Sequence, residues 1–324
     1  MTPILITGGA GYIGSHLTQV LQQAGYLPLV LDNLSSGQKV SVPAHAKFFE
    51  GDMGDQTLIQ KIYHDYPFPA VIHLAASIQT GESVQHPLMY YQNNVGRTLQ
   101  LLMALQHLGI KKILFSSSAS VYGEPNTNTP FTENCPASPV SPYGHSKWML
   151  EQILQDLNRA QTIQAICLRY FNVAGAHPTF HTQQHATHLI PIILNAIKHK
   201  KPVAVFGNDY DTQDGTCIRD YIHVMDLCDA HLLALEFLLQ ETHPRSLTFN
   251  LGTHRGSSVL DIIKTAEIVT HTKIDIQYSA RRTGDPRFLV ADSTLARTQL
   301  NWTPHRSDPW NIIHDVWTYA PCHL

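Results

Sequence analysis

The chain has 324 residues, of which 43% are hydrophobic and 15% are charged, and its formal net charge is −3. This composition supports a large folded core and excludes an intrinsically disordered chain or a long coiled coil. Because the 22 basic side chains do not outnumber the 25 acidic ones, nothing indicates a nucleic-acid or anionic-membrane partner.

Cysteine usage and the length of the apolar runs bear on where the protein works. The five cysteines are scattered without a C-x-x-C pair, which argues against a disulfide framework and a structural zinc site. No run reaches the roughly 18 apolar residues that a membrane helix needs, and no charged leader precedes an apolar stretch. We therefore expect a cytoplasmic protein with reduced cysteines and no membrane partner.

Strand-like and helix-like segments alternate through the first half of the chain. Six apolar runs are typical of parallel strands covered on both faces: Ile4–Thr7, Leu27–Asp32, Phe48–Glu50, Ala70–Ala75, Ile113–Ser117 and Ala165–Phe171. Four amphipathic stretches predict helices: Tyr12–Ala24, Gln56–His64, a segment after His86-Pro87 to about Leu108, and Tyr143–Arg159. The last has clear start signals, because Ser141 can cap it and Pro142 suits a first helical position.

The pattern is less regular after Asn172. It predicts loops at Gly175–Gln184 and Phe206–Thr216, helices near Met225–Leu239 and Ser258–Val269, and a strand at Thr248–Leu251. Together the patterns predict an α/β fold. A Rossmann-type doubly wound parallel sheet would occupy residues 1–172, with contributions from later segments, and a smaller C-terminal lobe residues 173–324.

A glycine-rich turn stands between the first predicted strand and the first predicted helix. Gly8, Gly11 and Gly14 form G-x-x-G-x-x-G, which lets the backbone approach a pyrophosphate at the positive end of the helix. Asp32 ends the second predicted strand, where a carboxylate binds an adenosine ribose 2′-OH and repels a 2′-phosphate. The sequence therefore predicts NAD rather than NADP. Asp52, after the third strand, can reach an adenine or can serve as a strand-end turn residue.

A second motif provides a group for proton transfer. Tyr143 and Lys147 lie four residues apart, on one face of the predicted helix. An adjacent ammonium stabilises a phenolate, so we expect Lys147 to lower the pKa of Tyr143 toward neutrality. Ser118 follows the fifth strand, at the sheet edge where ligands bind in open α/β folds, although an ordinary strand-end serine is the alternative.

These motifs, and several longer strings, carry a resemblance to a known family. The glycine turn and the Ser-Tyr-Lys set resemble the extended short-chain dehydrogenase/reductase superfamily, and more specifically its UDP-glucose (UDP-galactose) 4-epimerase family. The longer strings are Gly81–Val84, Tyr90–Val95, Ser116–Gly123, Ser141–Gly144, Arg169–Asn172, Gly175–Pro178, Phe206–Tyr210, Asp214–Thr216 and Arg219–Val224. The match runs from Ile4 to about Trp302.

The resemblance implies inversion at C4 of a UDP-hexose through a transient 4-keto intermediate, with tightly bound NAD regenerated in each turnover. It implies Ser118, Tyr143 and Lys147 as catalytic residues, a C-terminal lobe that binds the UDP-sugar, and a homodimer formed through the helices near Asn93 and Tyr143. For Asn93, a helix-start cap is an equally simple explanation.

The resemblance also implies two sets of binding residues. The NAD set is Gly8, Gly11, Tyr12, Ile13, Gly14, Asp32, Asn33, Asp52, Met53, Leu74, Ala75, Ala76, Asn93, Tyr143, Lys147 and Tyr170. The UDP-sugar set is Ser118, Tyr143, Phe171, Asn172, His188, Leu189, Phe206, Arg219, Arg282, Asp285 and Leu289. Guanidinium groups suit diphosphate oxygens, although surface ion pairs are the alternative for Arg219 and Arg282.

Two positions depart from one common version of the family pattern. Ile78 stands where some members have a lysine, which implies that a charge contact to the cofactor is missing here. Leu289 stands where members have a tyrosine or a smaller residue, so acceptance of N-acetylated sugars stays open.

Other functions fit the sequence less well. A nucleotide-sugar 4,6-dehydratase would carry an Asp-Glu pair where this chain has Ala119 and Ser120. A nucleotide-sugar reductase or decarboxylase, or a silent NAD-binding regulator, is a further alternative. The retained Ser-Tyr-Lys set argues against the silent regulator. A metal site is conceivable at the closely spaced histidines, but no carboxylate is interleaved and we expect none. These histidines are His177, His181, His185 and His188.

Overall fold

The strands and helices follow the hydrophobic pattern of the chain. The computed structural model describes residues 1–125, 127–179, 188–240, 246–282 and 285–320. The strands are β1 Thr2–Thr7, β2 Tyr26–Asp32, β3 Lys47–Glu50, β4 Ala70–His73, β5 Lys112–Ser116, β6 Gln164–Tyr170, β7 Asn172–Ala174, β8 Val203–Phe206, β9 Ile218–Arg219, β10 Tyr221–His223, β11 Leu247–Leu251, β12 Ser257–Ser258, β13 Ile276–Ser279 and β14 Phe288–Leu289.

The helices are α1 Tyr12–Gln23, α2 Gln56–Asp65, α3 Thr80–Gln85, α4 Pro87–Tyr90, α5 Arg97–His107, α6 Pro142–Arg159, α7 Leu189–His199, α8 Val224–Gln240, α9 Val259–Thr270, α10 Thr294–Gln299 and α11 Pro309–Tyr319. Short 3-10 turns cover Lys39–Ser41 and Ala119–Val121, and a π-helical segment covers Tyr91–Gly96.

Two compact units divide the chain. The first comprises Met1–Val121, Pro139–Arg169 and Cys228–Phe249, and the second comprises Tyr122–Ser138, Tyr170–Leu227 and Asn250–Leu324. The first unit is built on a seven-stranded sheet of order β11-β6-β5-β4-β1-β2-β3. Its pairings from β6 to β3 are all parallel, which confirms the predicted doubly wound α/β fold.

Continuous apolar strands form the centre of the first unit. Ile4, Leu5 and Ile6 of β1 are fully buried, as expected for a strand covered on both faces. Their neighbours in the core come from β2, β4, β5 and β6 and from the inner faces of α2, α5 and α6. Helix α6 begins as predicted, since the Ser141 hydroxyl accepts the Gly144 N–H at 3.1 Å and Pro142 is the first helical residue.

The second unit has its own small sheets and core. β7 pairs with β10, β8 pairs with β13, and β9 lies between β12 and β14. Helices α7, α9 and α11 contribute most of the core, through side chains such as Ile193, Ile263 and Ile313. The sequence pattern did not predict α3, α7, α10, α11 or the short strands β7, β8, β9, β10, β12, β13 and β14. Strands of two to four residues leave little periodic signal. Helices α7 and α11 are amphipathic over 11 residues, and the interpretation missed them.

Two predicted boundaries were wrong for identifiable reasons. Strand β4 ends at His73 rather than at Ala75, because the N–H groups of Leu74 and Ala75 both donate to the Thr7 carbonyl and turn the chain. The helix predicted to continue to about Leu108 is instead interrupted by the π-helical segment Tyr91–Gly96.

The π-helical segment is accompanied by buried amide hydrogen bonds. Asn94 is 1% exposed. Its Oδ1 accepts the Ser77 N–H at 2.8 Å, and its Nδ2 donates to the Ser77 carbonyl at 3.0 Å and to Ser146 Oγ at 3.1 Å. These bonds attach the chain after β4 to α6, within the first unit.

In the ranges that the structure describes, none of the helices combines the length and the apolar composition required to cross a bilayer.

The packing of α1 predicts a large difference between two helical glycines. A Cβ at Gly14 would overlap the Gly8 carbonyl and lie 2.6 Å from Gly9 Cα, whereas a Cβ at Gly81 meets nothing within 4 Å. We expect Gly14→Ala to destabilise the protein by about 2 kcal/mol, and Gly81→Ala to be neutral or stabilising by about 0.5 kcal/mol. Thermal unfolding of both variants tests this, and an unfolding midpoint of Gly14→Ala at or above that of Gly81→Ala would contradict it.

Candidate active site

The glycine turn places backbone, without side chains, at the start of α1. Gly8 has φ +76°, and its N–H donates to the Leu31 carbonyl at 2.9 Å. A Cβ there would lie 2.6 Å from the nitrogen of Ala75, so the left-handed turn and the close approach both require glycine. Gly11 caps α1 without a side-chain hydrogen bond, which leaves the helix end able to face an anion. Tyr12 and Ile13 follow, both half-buried.

Asp32 lies beside this turn, at the end of β2. It is 8% exposed; its Oδ2 accepts the Ala10 N–H at 3.0 Å and its Oδ1 the Leu34 N–H at 2.9 Å. A carboxylate can accept about four hydrogen bonds, so both oxygens retain capacity for a ribose hydroxyl. Asn33 is exposed, and its Oδ1 accepts the Ser35 N–H at 3.0 Å.

Asp52 is engaged within the protein. Its Oδ2 forms an ion pair with Arg97, and its Oδ1 accepts the Gly54 N–H at 2.8 Å. This geometry supports the alternative that Asp52 is a strand-end turn residue. The neighbouring Met53 is buried, 6% exposed.

The loop after β4 lies opposite the glycine turn. Leu74, Ala75 and Ala76 are half-buried, and Ile78 is 45% exposed. Asn93 Nδ2 donates to Ser77 Oγ at 3.1 Å from within the π-helical segment, and so it is not the cap of a helix start.

The three predicted catalytic side chains come together in the first unit. Ser118 follows β5, while Tyr143 and Lys147 face it from the first turns of α6, and all three are at most 8% exposed. Lys147 Nζ donates to the Ser116 carbonyl at 2.7 Å and lies 5.9 Å from the centre of the Tyr143 ring. Ser118 Oγ accepts the Ser120 N–H at 3.1 Å.

Burial controls the protonation of this set. It raises the pKa of Tyr143 above its ordinary value, and the hydrogen bond with Ser118 acts in the opposite direction. Burial also lowers the pKa of Lys147 to about 7, against the opposing charge of Glu151. The expected lowering of the Tyr143 pKa is therefore wrong for the protein alone, because the desolvation of the phenol is the larger effect.

The predicted nucleotide residues form charge contacts in the second unit. Arg219 donates to the Asp285 carboxylate and, through Nη1, to the Ile218 carbonyl at 2.8 Å. Burial opposes the charge of Arg219, but Asp285 more than compensates and raises the arginine pKa. The guanidinium of Arg282 lies 3.9 Å from the centre of the Phe206 ring.

A cavity of about 530 Å³ adjoins these contacts. Its lining is strongly charged and includes two of the predicted residues, Arg282 and Asp285, beside Arg281 and Arg287. Arg281 is paired with Asp209 at 2.7 Å, and both are exposed. The three guanidinium groups of the lining stand beside four carboxylates, those of Glu124, Asp209, Asp211 and Asp285.

The remaining predicted residues are distributed over the second unit. Tyr170 and Asn172 are half-buried around the buried Phe171. His188 is the exposed N-cap residue of α7, and Leu189 is its half-buried first residue. Leu289 is half-buried on β14.

The sequence analysis did not identify Asp220, whose backbone is hydrogen-bonded to two of the predicted substrate residues. Asp220 is fully buried. Its carboxylate accepts the Thr253 hydroxyl at 2.6 Å and the N–H groups of Thr253, His254 and Ala291 at 2.9 to 3.2 Å. The string Arg219–Val224 contained it, but nothing in the pattern distinguishes a substrate ligand from a buried support.

The backbone of Asp220 joins two predicted substrate residues. Its carbonyl accepts the Asn172 N–H at 3.0 Å, and its N–H donates to the Leu289 carbonyl at 3.0 Å. Asp220 therefore holds β7, β9 and β14 in register while its neighbour Arg219 contacts Asp285.

The predicted histidine cluster is only partly described. His177 Nδ1 lies 3.0 Å from Thr179 Oγ1, His188 precedes α7, and His181 and His185 lie outside the described residues. Among the residues that the structure describes, no group of three or more His, Cys, Asp or Glu side chains is arranged to hold a metal ion.

Comparison with known proteins gives consistent matches. Residues 4–252 match the model of the NAD dependent epimerase/dehydratase family. The chain is 46% identical to the UDP-glucose 4-epimerase of Azospirillum brasilense, over 93% of this chain and 87% of that protein.

Solved epimerase structures match over nearly full length. The UDP-glucose 4-epimerase of Brucella ovis in complex with NAD gives a TM-score of 0.92 at 41% identity, covering 100% of this chain and 98% of that one. The enzyme of Bifidobacterium longum in complex with NAD+ and UDP gives a TM-score of 0.92 at 34% identity, covering 100% of both chains.

Asp220 makes a testable contribution to the pH dependence of stability. Burial raises the pKa of Asp220 in the folded protein to about 6, above its ordinary value of 3.8. The stabilisation that follows from this raised pKa is fully present below pH 3.8, and it is lost as the pH rises through 6. When the pH is lowered from 7 to 5, the free energy of unfolding of the wild type should rise by about 1 kcal/mol relative to that of Asp220→Asn. Unfolding of both proteins at the two pH values measures this gain.

The exposed Asp156 of α6 provides the matched control, Asp156→Asn, for which we expect no comparable gain. A stability difference between wild type and Asp220→Asn that is equal at both pH values would contradict the assignment.

Proposed function

The chain belongs to the NAD dependent epimerase/dehydratase family, and we propose that it interconverts UDP-glucose and UDP-galactose by inverting C4 of the hexose. The reaction would pass through a transient 4-keto sugar. The observation that carries the proposal is the buried set of Ser118, Tyr143 and Lys147 at the end of β5, in the same unit as the glycine turn. The relatives named above support UDP-hexose as the substrate.

The first unit fits an NAD molecule. The glycine turn places a helix start without a side-chain cap where it suits a pyrophosphate, and Asp32 retains acceptor capacity for an adenosine ribose. The loop residues Leu74, Ala75 and Ala76, with Asn93, would complete the site. When bound, NAD supplies a cationic nicotinamide that takes the C4 hydrogen as hydride and returns it.

Tyr143 and its neighbours would handle the proton. The phenol oxygen would take the proton of the sugar 4-OH and return it to the 4-keto oxygen, and Ser118 would hydrogen-bond the same oxygen. Because burial raises the pKa of Tyr143, the phenol needs added positive charge before it can act as a base. Lys147 supplies this charge only while it is protonated.

The second unit would hold the UDP part of the substrate. Arg219 and Arg282 would bind diphosphate oxygens, Asp285 the uridine ribose, and Phe206 the uracil. Arg282 already covers one face of the Phe206 ring, so uracil would need the other. Binding through the unreactive nucleotide leaves the 4-keto sugar able to rotate, which inversion requires.

Three further features belong to the proposal. We infer a homodimer through α4, α5 and α6, whose outer faces expose Leu88, Leu99, Met103 and Met149 at 38% or more. We infer a cytoplasmic location, which the reduced thiols of Cys135, Cys167 and Cys217 support. Leu289 leaves N-acetylated UDP-hexoses as candidate second substrates.

The rival chemistry lacks its acid–base groups. A 4,6-dehydratase needs an acid and a base beside the strand-end hydroxyl, whereas Ala119 and Ser120 stand in those positions. Neither side chain can exchange a proton in the required way.

The function is tested by incubating purified protein separately with UDP-galactose and UDP-N-acetylgalactosamine, and by following the C4 epimers by proton NMR. Each incubation is run without added cofactor, with NAD and with NADP. We expect UDP-galactose to reach equilibrium with UDP-glucose, either with the cofactor retained on purification or after NAD is added. Persistence of both sugars in the presence of NAD would refute the proposal, and restoration by NADP alone would refute the role of Asp32.

A further inference from the structure

A buried ion pair between Glu151 and Arg169 lies one helical turn from the proton-transfer residue Lys147. Glu151 is one helical turn beyond Lys147 on α6 and is fully buried. Arg169 of β6, 4% exposed, donates to it from Nη2 at 2.6 Å and from Nε at 3.0 and 3.2 Å. The Ser117 hydroxyl also donates to Glu151 Oε1. We call these three side chains the Ser117–Glu151–Arg169 cluster.

The cluster fixes the strand end on which the reaction depends. Ser117 lies between Ser116, whose carbonyl accepts Lys147 Nζ at 2.7 Å, and Ser118, which faces the phenol. The Ser117 N–H donates to the Leu168 carbonyl of β6 at 2.9 Å. Both the backbone and the side chain of Ser117 are therefore anchored, so its two neighbours have little freedom.

The charge of Glu151 is the nearby counter-charge of Lys147. Of the described titratable groups that face Lys147, Tyr143 is a neutral phenol near pH 7 because burial raises its pKa, and His73 of β4 is neutral because burial lowers its pKa to about 3. Cys167 of β6, which faces Glu151, has a pKa raised by burial and stays a thiol. Among these described groups, Glu151 is the one whose charge opposes the loss of the lysine proton, alongside the hydrogen bond to the Ser116 carbonyl.

Resting on the function proposed above, we propose that the Ser117–Glu151–Arg169 cluster is a positioning unit for the reaction. It holds the strand end that carries Ser116 and Ser118, and its carboxylate, one helical turn from Lys147, favours the ammonium form of the lysine. Arg169 supplies the positive charge that pairs with this carboxylate inside the core. None of the three side chains needs to touch the substrate.

The test is a titration of Lys147 by NMR of protein labelled at the lysine ε-carbons, with the signal assigned by its loss in Lys147→Arg. We expect Glu151→Gln to lower the pKa of Lys147 by about one unit, because the variant leaves only the positive charge of Arg169 nearby. Glu151→Gln/Arg169→Met removes both charges and should return the pKa toward the wild-type value. Arg169→Lys keeps both charges and should leave it unchanged.

Activity provides the second measurement. The alkaline limb of the kcat profile should move to lower pH in Glu151→Gln by the same amount, with KM for the UDP-sugar unchanged. Asp156→Asn, which breaks an exposed ion pair on the same helix, is the control and should move neither quantity. A double variant less active than Glu151→Gln, with no recovery of the pKa, would reduce the cluster to a structural role and overturn the proposal.

The outcomes separate this inference from the proposed function. Absence of wild-type turnover refutes the function, whereas the lysine titration still tests the cluster. Should Glu151→Gln fail to fold, Arg169→Met replaces it. That variant removes a nearby positive charge and should raise the pKa of Lys147; an unchanged or lowered pKa overturns the inference.

Discussion

The desolvation of Tyr143 and Lys147 is the constraint from which the rest of the site follows. Buried together, the two groups are driven toward their neutral forms: the phenol keeps its proton and the lysine pKa falls to about 7. A proton-transfer residue is useful only if it can change its protonation state near the working pH. Every charge and hydrogen bond around the pair therefore matters, since each one decides how far burial is opposed.

The fold provides those opposing contacts from neighbouring parallel strands. β5 supplies the Ser116 carbonyl and leads to Ser118, β6 supplies Arg169, and α6 carries both Lys147 and Glu151. Because the strands are parallel, their carboxyl ends meet at one edge of the sheet, where the glycine turn also lies. One sheet edge can thus hold a pyrophosphate at a helix end and a proton-transfer pair on another helix.

Much of this arrangement could be predicted from the sequence. The strand pattern, the glycine turn and the Ser141–Pro142 start of α6 depend on local signals, so they were found with boundaries shifted by only a few residues. The Tyr143–Lys147 spacing is likewise local, and helical geometry makes the two residues neighbours.

Other features depend on contacts between distant residues, and these could not be predicted. The π-helical segment accompanies the bonds of Asn94 to Ser77 and Ser146, and Asp52 is engaged by Arg97. Asp220 draws its partners from Thr253 and Ala291. The predicted direction of the Tyr143 pKa shift was wrong, because the spacing of Tyr143 and Lys147 indicates a nearby charge but does not show how deeply the phenol is buried. In the second unit, the strands are too short for a periodic pattern, whereas α7 is amphipathic and could have been predicted.

The phenol oxygen of Tyr143 is the atom that would exchange the proton with the sugar, and its removal is the most direct test. Purified Tyr143→Phe should fold with a wild-type unfolding midpoint, retain UDP binding by calorimetry, and lose kcat for UDP-galactose by at least about 100-fold. A Phe variant that folds, binds UDP and converts UDP-galactose at close to the wild-type rate would contradict the account.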